Sequence, residues 1–357
     1  MGVFLRTLCI FTGAICIVGA SPARCEKITF DEALRRAIDR NHGLAAARLE
    51  AESAREAARQ ANALPNPRVE ARVEDFGDEE IELGFSQTIE LGGKREARAA
   101  AAGAGALSAS FARDAAAIEL ETETLRRFAA LLAARSKIDL ADTAIEHAEA
   151  AFEMIERRVR SGATRESDLI QARIALEELR SERAILHREV ERASISLTAL
   201  WGEPSSAPLE PAGTLEGTPA PPPIDSLRAL MRAHPASRRR EARETRARAD
   251  LASAKAGRYP DIDIGAGIIR YGETGDAALA LAASIPLPVW NRNAAAVRER
   301  EHLLASAASE EREAAIRMEA ELLAALASFE GASSALQSLD AEIVPRAQDA
   351  YECLATY

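Results

Sequence analysis

The fold is decided by the stretch Arg68-Val69-Glu70-Ala71-Arg72-Val73-Glu74, in which polar and apolar residues alternate without a lapse. After a turn-like tract, Phe76-Gly77-Asp78-Glu79-Glu80, alternation resumes as Ile81-Glu82-Leu83-Gly84-Phe85-Ser86-Gln87-Thr88-Ile89-Glu90-Leu91. Successive side chains point to opposite faces of a strand, so Val69, Ala71 and Val73 share one face, as do Ile81, Leu83 and Phe85. The two runs form a β-hairpin over 68–91 with one oily and one wet face. Gly92-Gly93 ends it.

Helices are expected on both sides of the hairpin. Upstream, Thr29 and Glu32 have the spacing of a capping box, and Ala33, Leu34, Ala37 and Ile38 follow at helical spacing. That helix, read over Ile28 to Asn62, must stop at Leu64-Pro65-Asn66-Pro67, because a proline disfavours helix in the residue before it. Downstream, nothing stronger than an isolated glycine interrupts the run from Lys94 to Arg160. A helix of that length would reach about 100 Å. Its narrow stripe (Leu120, Phe128, Leu131, Leu132, Ile138, Ile145, Phe152, Ile155, Val159) is of the coiled-coil kind. Ser161-Gly162-Ala163-Thr164 reads as a tight helix–helix turn with Gly162 in the left-handed conformation. A return helix runs over Ser167 to Leu200, Trp201-Gly202 closes it, and 203–223 is a proline-rich linker.

The order then repeats. Ser226 to Ala256 is helical, with His234-Pro235 matching His42-Gly43, and Asp261 to Ile268 alternates as the first strand did. Gly272 to Asp276 is a turn. Ile285-Pro286-Leu287-Pro288-Val289-Trp290-Asn291-Arg292 occupies the place of Gln87 to Lys94, at an offset of about 195 residues. The second hairpin thus spans 261–287, and a long helix follows from Asn293. The organisation is a first repeat over 28–202, the linker, and a second repeat over 224–357. About 110 residues separate Leu91 from Trp201, but only about 70 separate Leu287 from Tyr357. The second return helix is therefore expected to be missing, as in a C-terminally truncated chain.

Composition agrees with a helical, elongated protein. Of 357 residues 47% are hydrophobic but only 4% aromatic. About a fifth are alanine, well above ordinary usage, which lets helix backbones approach closely. The net charge of −11 argues against a nucleic-acid partner, whose footprint is a basic patch. Met1 to Ala20 carries one positive charge (Arg6) and an apolar run, Leu8 to Val18, followed by small residues, the pattern of a signal peptide over 1–23. Cys25 invites a lipoprotein reading, but Arg24 stands where lipoprotein signals want a small residue. His42, His147, His187, His234 and His302 are scattered singly, so no metal site is expected. No phosphate loop or nucleophile–base pair is present either, so neither a cofactor nor an enzymatic activity is expected. Gly103 and Gly105 read as close-packing positions and Arg238-Arg239-Arg240 as a solvated helix face.

Four strands of about 10 residues, polar on one face and apolar on the other, have the dimensions of transmembrane β-strands. Open sheet edges do not persist in lipid, and four strands cannot close a barrel, so any barrel must be shared between copies of the chain. The wet faces carry Arg68, Glu70, Arg72, Glu74, Glu82, Glu90, Asp261 and Asp263, six acids against two bases, which would give a mildly cation-favouring lumen.

At these residues the chain resembles the TolC-like outer-membrane efflux proteins. Gln87-Thr88-Ile89-Glu90-Leu91-Gly92-Gly93-Lys94-Arg95 looks like the cobalt–zinc–cadmium-type branch. Leu64-Pro65-Asn66-Pro67, Arg258-Tyr259-Pro260-Asp261, and Arg160-Ser161-Gly162 with Asp168-Leu169 match in the expected order. The resemblance implies a mainly α fold with β-hairpins: a long α-helical coiled-coil barrel plus a transmembrane β-barrel to which each protomer of a homotrimer gives four strands. It implies residence in the outer membrane of a Gram-negative bacterium, reaching into the periplasm. A periplasmic adaptor (membrane fusion) protein and an inner-membrane pump are the implied partners, with Arg160, Ser161, Gly162 and Asp168 at the adaptor-facing tip. The implied function is a passive duct of a tripartite efflux system for metal cations or small toxic compounds. The alternatives are a periplasmic coiled-coil scaffold that never enters lipid and a non-functional remnant of the duct.

Overall fold

The computed structural model describes residues 26–74, 80–205, 207–215, 220–272 and 274–355. The expected leader, Cys25, the first hairpin's turn at 75–79 and Tyr357 lie outside them. The described chain divides into two units, one within Met1–Arg40 and Glu123–Leu215, the other within Asn41–Thr122 and Glu216–Tyr357.

In the first unit, strand β1 (Glu26–Ile28) leads to helix α1 (Phe30–Arg40). Thr29 Oγ1 accepts from the Glu32 N–H at 3.3 Å, while the Glu32 carboxylate turns to Arg36 at 2.5 Å instead of closing the capping box. Helix α3 (Lys94–Arg160) contributes its residues from Glu123 onward, and helix α4 (Glu166–Thr198) returns beside it. Opposite charges face each other along this helical hairpin: Lys137–Glu189 at 3.1 Å, Arg183–Asp142 at 2.5 Å and Arg180–Glu149 at 2.7 Å. Ala33, Ala37, Leu131, Ile138, Leu197 and Trp201 are buried in this unit, and the Phe30 and Phe128 rings meet edge to face at 5.9 Å.

The segment read as a linker over 203–223 is more than that. Its residues Leu209–Pro211 form strand β4, which pairs in parallel with β1. Buried hydroxyls hold it in place, since Thr198 Oγ1 accepts from the Ser205 N–H at 3.0 Å and Ser194 Oγ from the Leu209 N–H at 3.5 Å, while the Ala212 N–H donates to the Ile28 carbonyl at 2.8 Å. Three residues are too few for alternation to announce a strand.

In the second unit the helix expected over Ile28–Asn62 proves to be interrupted, and α2 runs over His42–Ala61. Asn41 is extended, and its Oδ1 accepts from the Leu44 N–H at 2.9 Å, an N-cap that competes with continuing the helix. The second repeat breaks at the matching place. Helix α5 (Ile224–Ala233) stops at His234, whose Nδ1 accepts from Ala236 N–H at 3.2 Å, and α6 (Pro235–Ala256) begins on a proline. Strands β2 (Arg68–Glu74), β3 (Glu80–Ile89), β5 (Ile262–Tyr271) and β6 (Ala277–Ser284) form one antiparallel sheet in the order β2-β3-β5-β6. Helix α7 (Ala294–Ser338) packs beside α6 and passes through a π-turn, Leu339–Ile343, into α8 (Val344–Ala355). Pro345 supplies no N–H there, which accounts for the widened turn. No helix of the described residues is long and apolar enough to cross a membrane, which says nothing of a β-barrel.

Candidate channel-forming sheet and helical tip

The strand register sorts the side chains by face. Val69 opposes Phe85, Ala71 opposes Leu83 and Val73 opposes Ile81. Leu83 then meets Ile268, which meets Leu279, so the apolar face runs across all four strands. None of the described residues covers it: Val69 is 73% exposed and Leu281 79%. A surface of this kind and extent is not left to water without cause.

The other face carries Arg68, Glu70, Arg72 and Glu82, and Asp263 sits opposite Thr88. Register puts Glu74 on this side too, opposite Glu80. Arg68 lies 3.5 Å from Asp263, and Arg72 lies 3.5 Å from Glu82. Between Asp263 and Ile269 the β5 and β6 positions on this face are small: Gly265, Gly267, Ala280 and Ala282. With Gly84 they leave a hollow of about 480 Å³ over the sheet. A Cβ at Gly267 would stand 3.0 Å from the Leu83 carbonyl oxygen, so glycine there permits close strand approach.

Glu90 and Asp261, expected among the wet-face residues, lie beyond the strand ends instead. Glu90 is held by both terminal nitrogens of Arg98, one of them at 3.1 Å. The same guanidinium donates to the carbonyls of Ala61 (2.8 Å) and Ala63 (3.2 Å), which the end of α2 leaves unpaired. Asp261 accepts from Lys94 Nζ at 2.7 Å and from the Leu91 N–H at 3.2 Å. The hydrogen bond from Arg98 holds the Glu90 carboxyl below its ordinary range against the opposing effect of burial. Both hairpins are accordingly shorter than read from sequence, ending at Ile89 and Ser284. Gly92 and Gly93 take positive φ, and Pro286 and Pro288 lack the N–H a ladder needs.

At the α3–α4 turn Gly162 has φ of 75°. Its N–H donates to Val159 O and that of Ala163 to Arg158 O, both at 2.9 Å, the paired bonds of a Schellman C-cap. Arg160 pairs with Glu156 at 2.8 Å on its own helix, and Ser161 Oγ donates to Arg158 O. Asp168 lies in the first turn of α4, where a carboxylate suits the helix dipole. Arg160, Ser161 and Gly162 are exposed and Asp168 is half-buried.

Residues 33–203 match the family model described as outer membrane efflux protein. The chain is 28% identical over 268 residues to the cobalt-zinc-cadmium resistance protein CzcC of Cupriavidus metallidurans, covering 74% of this chain. The likeness to outer membrane efflux proteins thus covers just under half of the chain by the family model. The alignment spans 64% of CzcC's own length. Among solved structures, the open state of the Neisseria gonorrhoeae MtrE outer membrane channel superposes with a TM-score of 0.73, at 20% identity, over 92% of this chain and 78% of that one. CusC, described as undergoing conformational changes with folding and transmembrane channel formation, gives 0.67 at 19% identity, over 90% and 78%. The fold of this chain is thus the TolC-like one, mainly helical with a four-stranded sheet.

Sequence reading missed the Arg98 clasp. Its signal was available only as an arginine one helical turn inside a long helix, among many others. Gly103 does not behave as a close-packing position within the chain, since a Cβ there would meet nothing within 4 Å; at Gly105 it would touch the Arg246 side chain from 3.6 Å.

Proposed function

We propose that three copies of this chain close a twelve-stranded barrel in the outer membrane and that the protein is the passive duct of a tripartite export system. One observation carries the reading: a four-stranded sheet with an uncovered apolar face, a charged opposite face and free edges at β2 and β6. Such a sheet satisfies neither water nor lipid alone. Pairing β2 of one copy with β6 of the next removes both edges, as a bilayer demands. Arg68, Glu70, Arg72, Glu74, Glu82 and Asp263 then face the lumen. The exposed turn with Arg160, Ser161, Gly162 and Asp168 is our candidate contact for a periplasmic adaptor protein, through which an inner-membrane pump supplies the energy. The likeness to a cobalt-zinc-cadmium resistance protein favours metal cations as cargo over small organic compounds.

The test is membrane fractionation with gel analysis, combined with growth on cobalt, zinc and cadmium in a strain lacking its own duct. We expect heat-dissociable trimers in the outer membrane and restored growth. Soluble periplasmic oligomers would instead support the scaffold reading and overturn this one.

A further inference from the structure

We infer that the tract leaving β6, together with Tyr259, is an interfacial anchor that seats the sheet's helix-proximal rim in the phospholipid leaflet. The inference rests on the membrane reading above. From Ala277 through Asn291 the chain carries no charged side chain, although 28% of its residues are charged. The uncharged run does not stop with the strand. Beyond Ser284, Ile285, Leu287 and Val289 keep the alternation of the apolar-face residues Leu279, Leu281 and Ala283, and all three are exposed. Pro286 and Pro288 remove two backbone donors where the ladder ends, so fewer polar groups need partners at a place water reaches poorly. The run ends on Trp290, which is 96% exposed, the most exposed of the large hydrophobic side chains among the described residues.

Trp290, Val289 and Leu287 line a groove of about 390 Å³ with Tyr259, whose ring lies over Gly92. Tryptophan and tyrosine, each with an apolar body and a polar edge, favour the boundary between hydrocarbon and headgroup. Arg258 and Arg292 flank the two aromatics in sequence, and neither has an ion-pair partner among the described residues. Guanidinium groups at that depth suit lipid phosphate. Continuity with the apolar sheet face and these two cations select phospholipid as the occupant rather than a second copy of the chain.

The chain's two tryptophans allow a direct test, because Trp201 is buried in the other unit at 4% exposure. Full-length protein is reconstituted into vesicles of phosphatidylcholine brominated near the headgroup or deep in the tail. The emission of Trp290 is taken as the difference between wild type and Trp290→Phe. We expect it to be blue-shifted and quenched more by shallow than by deep bromine, with loss of quenching by aqueous acrylamide. A red, acrylamide-quenched emission overturns the inference in favour of water. A blue-shifted emission that no bromolipid quenches overturns it in favour of a protein partner. Leu281→Trp in the Trp290→Phe background serves as the control for membrane entry. If that residue is quenched and Trp290 is not, the anchor alone fails; if neither is quenched, the membrane reading fails with it.

Discussion

Replacing Arg98 by alanine should cost the second unit more than any other single exposed-charge deletion near the sheet. The side chain makes a bidentate pair with Glu90 and caps two carbonyls at the end of α2, so α2, α3 and the tract after β3 meet on one guanidinium. Glu90 retains only 12% side-chain exposure and would be left without its partner. Breaking a fully buried pair costs about 3–5 kcal/mol, and one hydrogen bond to a charged group is worth about 1.5–3. Arg98 is itself 39% exposed and partly screened, so we expect a loss of about 2–3 kcal/mol. For a unit of this size that is a fall in melting temperature of roughly 4–12 °C. Arg98→Lys keeps the charge but cannot form the fork, and should recover only part of the loss. The assay is thermal unfolding of the detergent-purified protein by circular dichroism, with Arg95→Ala as the control because Arg95 meets only its neighbour Glu96 at 3.4 Å. The pH dependence has a definite sign. Glu90's carboxyl is held below its ordinary value, so its contribution is present above the ordinary carboxylate range and is lost as pH falls through the depressed value. The gap between wild type and Arg98→Ala should therefore narrow on acidification below about pH 4. Equal melting of Arg98→Ala and Arg95→Ala at neutral pH would refute the clasp.

Three further outcomes follow from the same geometry. Leu83→Arg, on the uncovered face, should reduce heat-dissociable trimer in the outer membrane well below Glu82→Arg on the opposite face, since a lipid-facing charge at mid-depth costs about 2–4 kcal/mol; equal trimer yields would refute the facing. Gly162→Val should weaken crosslinking to the adaptor and lower metal resistance while leaving trimers intact, because a β-branched residue is strained at positive φ; unchanged crosslinking would remove the turn from the contact. Gly92→Ala should destabilise, with its Cβ placed 2.4 Å from the Tyr259 ring, whereas Gly103→Ala meets nothing and should stabilise α3 by up to about 1 kcal/mol; the same melting shift in both variants would contradict the packing described.

The sheet was legible because its information is local: period-2 alternation assigns each side chain a face before any partner strand is known. The long helix and its Gly162 turn were legible for the same reason, one from the absence of breakers and the other from a glycine at the end of an apolar stripe. What stayed hidden depends on residues far apart in sequence. β1 and β4 are separated by nearly the whole first repeat and exist only as each other's partner. The helix break at Asn41 looked like one polar residue among many until its side chain was seen to cap Leu44. Glu90 and Asp261 continue the alternation perfectly, and only the cations they meet, Arg98 and Lys94, reveal that the strand has already ended.

That last displacement changes the electrostatics of the proposed lumen. Six acids against two bases would make a cation-favouring wall, but Glu90 and Asp261 are neutralised at the rim by Arg98 and Lys94. Of the five acids on this face of the strands (Glu70, Glu74, Glu80, Glu82 and Asp263), Asp263 and Glu82 lie beside Arg68 and Arg72. The excess per chain falls to Glu70, Glu74 and Glu80, all of it on β2 and the start of β3. The second repeat adds Gly265, Gly267, Ala278, Ala280 and Ala282, which carry no charge. Three copies around a barrel would therefore alternate three narrow charged stripes with three smooth ones. Across a pore wider than about 8–10 Å such stripes are screened from the axis by physiological salt. A wall of that kind can keep a cation hydrated without binding it. In the proposed duct, selection among cargoes would then be made before the cargo reaches the sheet, by a protein that recognises it, and the sheet's own contribution would reduce to an unobstructed path.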